Sequence, residues 1–113
     1  MTARNTLLTT PPYAVEQSLK RLGSDLRTAR LRRNLTIRDV AEKIGAGVRA
    51  VSDAERGKPS TAAAVYIALL WALDLLSQLD EVARPERDDE GQMLALGRER
   101  GRARSKPRLS NDF

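Results

Sequence analysis

The sequence predicts an all-α fold, a bundle of five short helices flanked by a flexible N-terminal arm and a charged C-terminal tail, and three observations carry that expectation. Apolar residues recur at spacings of three and four along most of the chain, the period of one helix face. Turn signals interrupt this pattern at short intervals, at Asn34, at Gly45 and Gly47, from Gly57 to Pro59, and at Pro85. The length, 113 residues, leaves room for one compact domain plus tails, since a domain commonly needs on the order of 100 residues to bury a core.

Each element follows from its own residues. Val15, Leu19, Leu22, Leu26 and Ala29 draw an apolar stripe down a first helix, which Asn34 is suited to end. Thr36 is a good N-cap for a second helix, with Asp39 where a capping-box acid sits, and Ile37, Val40, Ala41 and Ile44 form its apolar face. Gly45 stops it. A third helix fits Val48 to Glu55, with Val51 and Ala54 turned inward. Ser60 or Thr61 can cap a fourth, which is apolar nearly all round through Trp71 and Leu73. A fifth runs from Leu75 to Ala83, with Leu75, Leu76, Leu79 and Val82 on one face. The expected organisation is therefore an arm over residues 1–14, a domain over 15–83 and a tail over 84–113 with too few bulky apolar residues to fold by itself.

Composition narrows the chemistry. The chain has no Cys and no His, so it lacks a disulfide framework, a thiolate metal site, the commonest zinc ligand and the commonest general base. Ser52, Asp53 and Glu55 have no base or metal to activate them, and neither an enzyme activity, a cofactor nor a metal is expected. No stretch resembles a secretory signal, and the longest apolar run, Ala62 to Leu73, falls short of the ~20 residues that cross a bilayer. A cytoplasmic protein without a membrane partner is expected. Net charge is +5, yet from Gly97 to Arg108 six cations face one anion, so the body of the chain is close to neutral.

Two short helices around a glycine turn are common; the residues at their crossing are more specific. Ala41 is small where the third helix must approach the second, Gly45 makes the turn, and Val51 locks the pair. The segment TIRDVAEKIGAGVRAVSDAERG resembles the Xre and phage-repressor family of helix-turn-helix proteins over roughly Leu22 to Val82. That resemblance implies a five-helix repressor-like bundle and binding to double-stranded operator DNA. It also implies a structural ion pair between Arg30 and Glu55, which removes Arg30 from the DNA contacts.

For base contact the resemblance points to the start and exposed face of the third helix: Val48, Arg49 and Asp53, with Ser52 beside them. Arg49 could donate two hydrogen bonds to a guanine edge, hold a phosphate, or simply stay solvated. Asp53 could accept from cytosine, weaken nonspecific binding, or orient Arg49 from one turn away, and the last is favoured. Arg38, Lys43, Arg56 and Lys58 are placed to neutralise flanking phosphates. Ile37 stands where many relatives carry a phosphate-binding glutamine, and Gly47 replaces the usual capping Ser or Thr, so each monomer should bind modestly.

Modest monomer binding favours a homodimer reading two half-sites. Tyr66, Leu69, Leu70 and Trp71 cannot all face one small core, so the fourth helix should supply a dimer or partner surface. The stretch ERGKPSTAAAVYIALLWALDLLSQLDEVA is similar to HipB-type antitoxins, which implies repression of its own operon and a HipA-like kinase toxin as partner. A stand-alone regulator and a toxin-neutralising interaction protein with weak DNA binding are the alternatives. In the tail, Arg98, Arg100, Arg102, Arg104, Lys106 and Arg108 recur at every second residue. An extended backbone would align them as one row of cations for DNA phosphates or an acidic protein groove, or would leave them merely solvated.

Overall fold

The computed structural model of the chain describes residues 6–105. Its elements are α1 (Tyr13–Arg32), α2 (Ile37–Ile44), α3 (Val48–Glu55), α4 (Ala63–Ala72), a 3-10 stretch Leu76–Glu81, a 3-10 turn Pro85–Arg87 and α5 (Asp89–Ser105). No strand occurs among the described residues. The chain divides into two compact units, Met1–Ser77 and Gln78–Phe113.

In the first unit, Leu26 of α1, Val40 and Ala41 of α2, Val51 and Ala54 of α3, and Tyr66, Leu69 and Leu73 of α4 and its end form one buried cluster. Leu19, Leu22, Ala29, Ile37, Ile44 and Leu75 pack around it. The side chains predicted to face inward on α1, α2 and α3 are these. Val15 differs: it is exposed, and with Ala14, Ser18, Leu19 and Leu22 it lines a shallow apolar groove.

Short turns fix how the helices meet. Thr36 and Asp39 form a reciprocal capping box, the Thr36 hydroxyl accepting from the Asp39 N–H at 3.0 Å and the Asp39 carboxylate from the Thr36 N–H at 2.8 Å. These bonds, the backbone one first, hold the Asp39 carboxyl below the usual carboxylate range. Four helix ends close alike, on a left-handed residue: Asn34 after α1, Gly45 after α2, Gly57 after α3 and Asp74 after α4. In each, the next N–H returns to the helix, Leu35 to Arg30 at 3.2 Å and Lys58 to Asp53 at 3.0 Å for example.

Two glycines set the approach of α1 to α3. A Cβ on Gly23 would lie 2.5 Å from the carbonyl oxygen of Ala54, and one on Gly57 would lie 2.5 Å from that of Leu19. At this crossing Arg30 and Glu55 meet as a bidentate pair, Nε to Oε2 at 2.6 Å and Nη2 to Oε1 at 3.0 Å, with side chains 8% and 6% exposed. The remaining Arg30 Nη1 donates to the Leu35 carbonyl at 2.8 Å. Hydrogen bonding to Glu55 keeps the guanidinium firmly charged.

Several expectations need correction. Helix α1 begins at Tyr13, inside the predicted arm, because Pro11 and Pro12 precede its first turn, where a missing N–H costs no hydrogen bond. Helix α4 starts after Ala62 with no side-chain cap; Ser60 and Thr61 lie before it, and neither caps its first turn. The predicted fifth helix from Leu75 to Ala83 is the shorter 3-10 stretch, bounded by left-handed Asp74 and Ala83. The tail predicted to be unstructured contains the 17-residue α5. Its apolar content is low, but Met, Leu, Ala, Gln, Glu and Arg favour a helix whether or not it is buried. Asp88 accepts from the Gly91 N–H at 3.0 Å at its start, and acids there with arginines at the end suit the helix dipole. The single row of cations is therefore not formed over Arg98 to Arg104; Lys106 and Arg108 lie outside the described residues.

Two outcomes follow for the α1–α3 crossing. Gly23→Ala should lower stability by roughly 1–3 kcal/mol in urea denaturation, because the backbone contact outweighs the ~1 kcal/mol by which alanine favours a helix. A variant as stable as the parent would show that α1 can shift away. Glu55→Ala should cost about 3–5 kcal/mol by leaving Arg30 buried and uncompensated, whereas Arg30→Met combined with Glu55→Leu should recover most of that loss.

Candidate nucleic-acid interface

Helix α3 has two unlike sides. Val51 and Ala54 are buried, which turns Val48 and Arg49 outward and leaves Ser52 and Asp53 half-buried at the rim. Gly47 is the N-cap and offers no side-chain bond to the first turn. Arg49 is the most projecting of the group, its side chain 83% exposed.

Asp53 is the recessed centre of the face. Its Oδ1 accepts from Arg56 Nη2 at 2.6 Å, while Arg49 Nε stands 3.8 Å from the same oxygen and Lys58 Nζ 3.8 Å from Oδ2. The Arg56 hydrogen bond, helped by the charges of Lys58 and Arg49, holds the Asp53 carboxyl below the usual carboxylate range. It is ionised throughout the neutral range. Asp53 was expected chiefly to orient Arg49; its shorter contact is to Arg56, and Arg49 is steered only from a distance. The result is three exposed cations around one partly covered anion, with a net positive edge.

Other predicted positions separate. Arg38 is exposed on the first turn of α2. Lys43, expected at a phosphate, is committed elsewhere: its ammonium donates to the Ala72 carbonyl at 3.2 Å and lies 5.6 Å from the centre of the Trp71 ring. It closes the carboxyl end of α4, where a cation meets the helix dipole. Of the predicted partner surface, Tyr66 and Leu69 are 8% and 2% exposed and belong to the core, Leu70 packs against the core's edge, and Trp71 is 53% exposed. A helix must bury the side facing its own bundle, and in α4 that side takes Tyr66 and Leu69.

Sequence reasoning missed two contributors. Ile67, one turn before Trp71, is 41% exposed and continues its apolar face; the i, i+4 spacing was the available signal. Gly23 is the second: an isolated glycine in a helical pattern costs about 1 kcal/mol against alanine, and here it makes room for the α3 backbone. Among the described residues no group of His, Cys, Asp or Glu could hold a metal ion, and no helix is long and apolar enough to cross a membrane.

The family model for the helix-turn-helix domain matches residues 21–84, which takes in most of α1, all of α2, α3 and α4, and the 3-10 stretch. No curated protein and no solved structure matches the chain. The match covers more than half of the sequence and coincides with the segment whose second short helix presents Arg49, Asp53 and Arg56 on its open side. The chain belongs to the helix-turn-helix domain family, whose members are DNA-binding regulators.

Proposed function

We propose that the chain is a sequence-specific transcriptional repressor acting in the cytoplasm as a homodimer, with α3 as its base-reading helix. The observation that carries this is the pose of Arg49, fully projecting from a helix whose other end is anchored by the buried Arg30–Glu55 pair. A guanidinium presented this way can reach the O6 and N7 of guanine with two parallel hydrogen bonds. Val48 and Ser52 flank it toward the groove, while Arg38, Arg56 and Lys58 meet the phosphates at the rim. Lys43 is left out of this set because its ammonium is held away from α3, on the Ala72 carbonyl at the end of α4, whereas Arg56, though paired with Asp53, stays exposed beside α3.

The homodimer is supported by α4. Ala63, Ala64, Ile67 and Trp71 are exposed on a helix without a charged residue, and a second copy would cover them while placing two α3 helices on one operator. Ile37 and Gly47 limit the phosphate contacts of one monomer, which makes the second half-site valuable. The similarity to HipB-type antitoxins extends the proposal to control of its own operon and capture of a HipA-like kinase toxin. Affinity chromatography with the product of the neighbouring reading frame tests that extension; failure to bind it would leave a stand-alone regulator.

Binding-site selection on random duplexes tests the central reading. Arg49→Ala should relax preference at one base position per half-site, by roughly 1–3 kcal/mol of discrimination. Uniform weakening on all sequences would assign Arg49 to a phosphate instead. For the dimer, Ile67→Glu with Trp71→Glu should give a folded monomer by circular dichroism and sedimentation, since both side chains already meet solvent. A folded dimer carrying both changes would place self-association elsewhere.

A further inference from the structure

The arginines of α5 stand apart from the other described cationic groups of the second unit, Arg84 and Arg87. Arg84 and Arg87 are neutralised locally, Arg84 by Glu81 at 3.1 Å and Glu86 at 3.2 Å, and Arg87 by Glu81 at 2.7 Å. Arg98, Arg100, Arg102 and Arg104 are exposed and form no ion pair among the described residues, with Glu99 the one carboxylate in that half of the helix. Arg98 and Arg102 are four residues apart, as are Arg100 and Arg104, and like charges at this spacing destabilise a helix. A surface that repels itself is relieved by a polyanion.

The arrangement of the four side chains says which kind. At about 100° per residue, alternate positions fall about 200° apart, so the arginines make two stripes on nearly opposite sides of α5. A flat acidic protein surface could engage one stripe and would leave the other in solvent. A groove with phosphates along both walls engages both. The major groove of B-form DNA is about 12 Å wide and admits a helix of about 10–12 Å diameter, with one strand's phosphates on either side. Between the stripes, Gly97 and Gly101 share one side, and a Cβ built on either meets nothing within 4 Å. That bare side lets the backbone sit deep, while Glu99 and Ala103 occupy the opposite side, away from the DNA.

We propose that the C-terminal half of α5 is a second DNA-contacting element that lies in the major groove and bridges the phosphates of both strands, adding affinity without base preference. This rests on the DNA-binding reading of the first unit. With no base-reading side chain on the glycine side, α5 grips any duplex, and α3 chooses the sequence.

The test uses the full chain, a mixed-sequence DNA duplex unrelated to its promoter, and fluorescence anisotropy across a salt series. Replacing all four arginines with glutamine should flatten the slope of log affinity against log salt by about 3.6, at about 0.9 per phosphate contact, so that about 10²-fold less affinity is lost between about 50 and 200 mM salt. The pairs Arg98→Gln/Arg102→Gln and Arg100→Gln/Arg104→Gln should each give about half of that change, with the promoter preference set by Arg49 retained. An unchanged slope in a chain that still binds its promoter overturns the proposal alone and assigns the arginines to an acidic protein. A response to one pair only, or tighter binding to an RNA duplex of the same sequence, also overturns it. Absence of binding by the unaltered chain to either duplex or promoter sinks both readings together.

Discussion

The buried pair of Arg30 and Glu55 is the constraint around which the first unit is arranged. Taking two charges out of water is costly, and the geometry offsets that cost only because three of the guanidinium's N–H groups find oxygen acceptors, two on Glu55 and one on the Leu35 carbonyl. Such a match requires α1 and α3 to cross closely, which Gly23 and Gly57 permit by removing the atoms that would collide. It also ties the turn after α1 to the end of α3, since Leu35 both donates to the Arg30 backbone and accepts from its side chain. The pose of α3 is thus set from its carboxyl end, leaving its amino end and open side uncluttered.

Much of this was legible in the sequence. Three-and-four spacing located α1 and α2, turn signals bounded α3, an apolar run marked α4, Thr36 with Asp39 marked the start of α2, and the resemblance to the Xre and phage-repressor family implied the ion pair, because these signals act between residues close in sequence or within a recurring motif. What failed depends on contacts through space or on competing local forces. Nothing near Lys43 announces that the carbonyl of Ala72 lies within its reach. The all-apolar α4 does not reveal from sequence which side faces its own bundle, so the candidate partner surface Tyr66, Leu69, Leu70 and Trp71 mixes core residues with exposed Trp71 and omits Ile67. In α5, low apolar content reads as disorder; the Asp88 cap, the acids at its start and its Met, Leu, Ala, Gln and Arg residues favour a helix and outweigh the cost of Gly91, Gly97 and Gly101.

Cations in this chain illustrate why counting charge says little. Arg30 is structural, Lys43 caps a helix, Arg84 and Arg87 are quenched by neighbouring carboxylates, and Arg56 is drawn onto Asp53. Arg49 and the α5 arginines retain most of their freedom to meet a partner. The same residue type therefore ranges from buried scaffold to open hand, and the deciding quantity is the nearest oxygen rather than the net charge.

The left-handed closures at Asn34, Gly45, Gly57 and Asp74 have a thermodynamic consequence for any ligand of the first unit. Each closes a turn by backbone hydrogen bonds, and only three residues separate α2 from α3. Few soft torsions are left between the core and the face that carries Arg49. Order that is already present in the free chain is not charged against binding, so the entropy lost on association is confined to rigid-body motion and to the long side chains themselves.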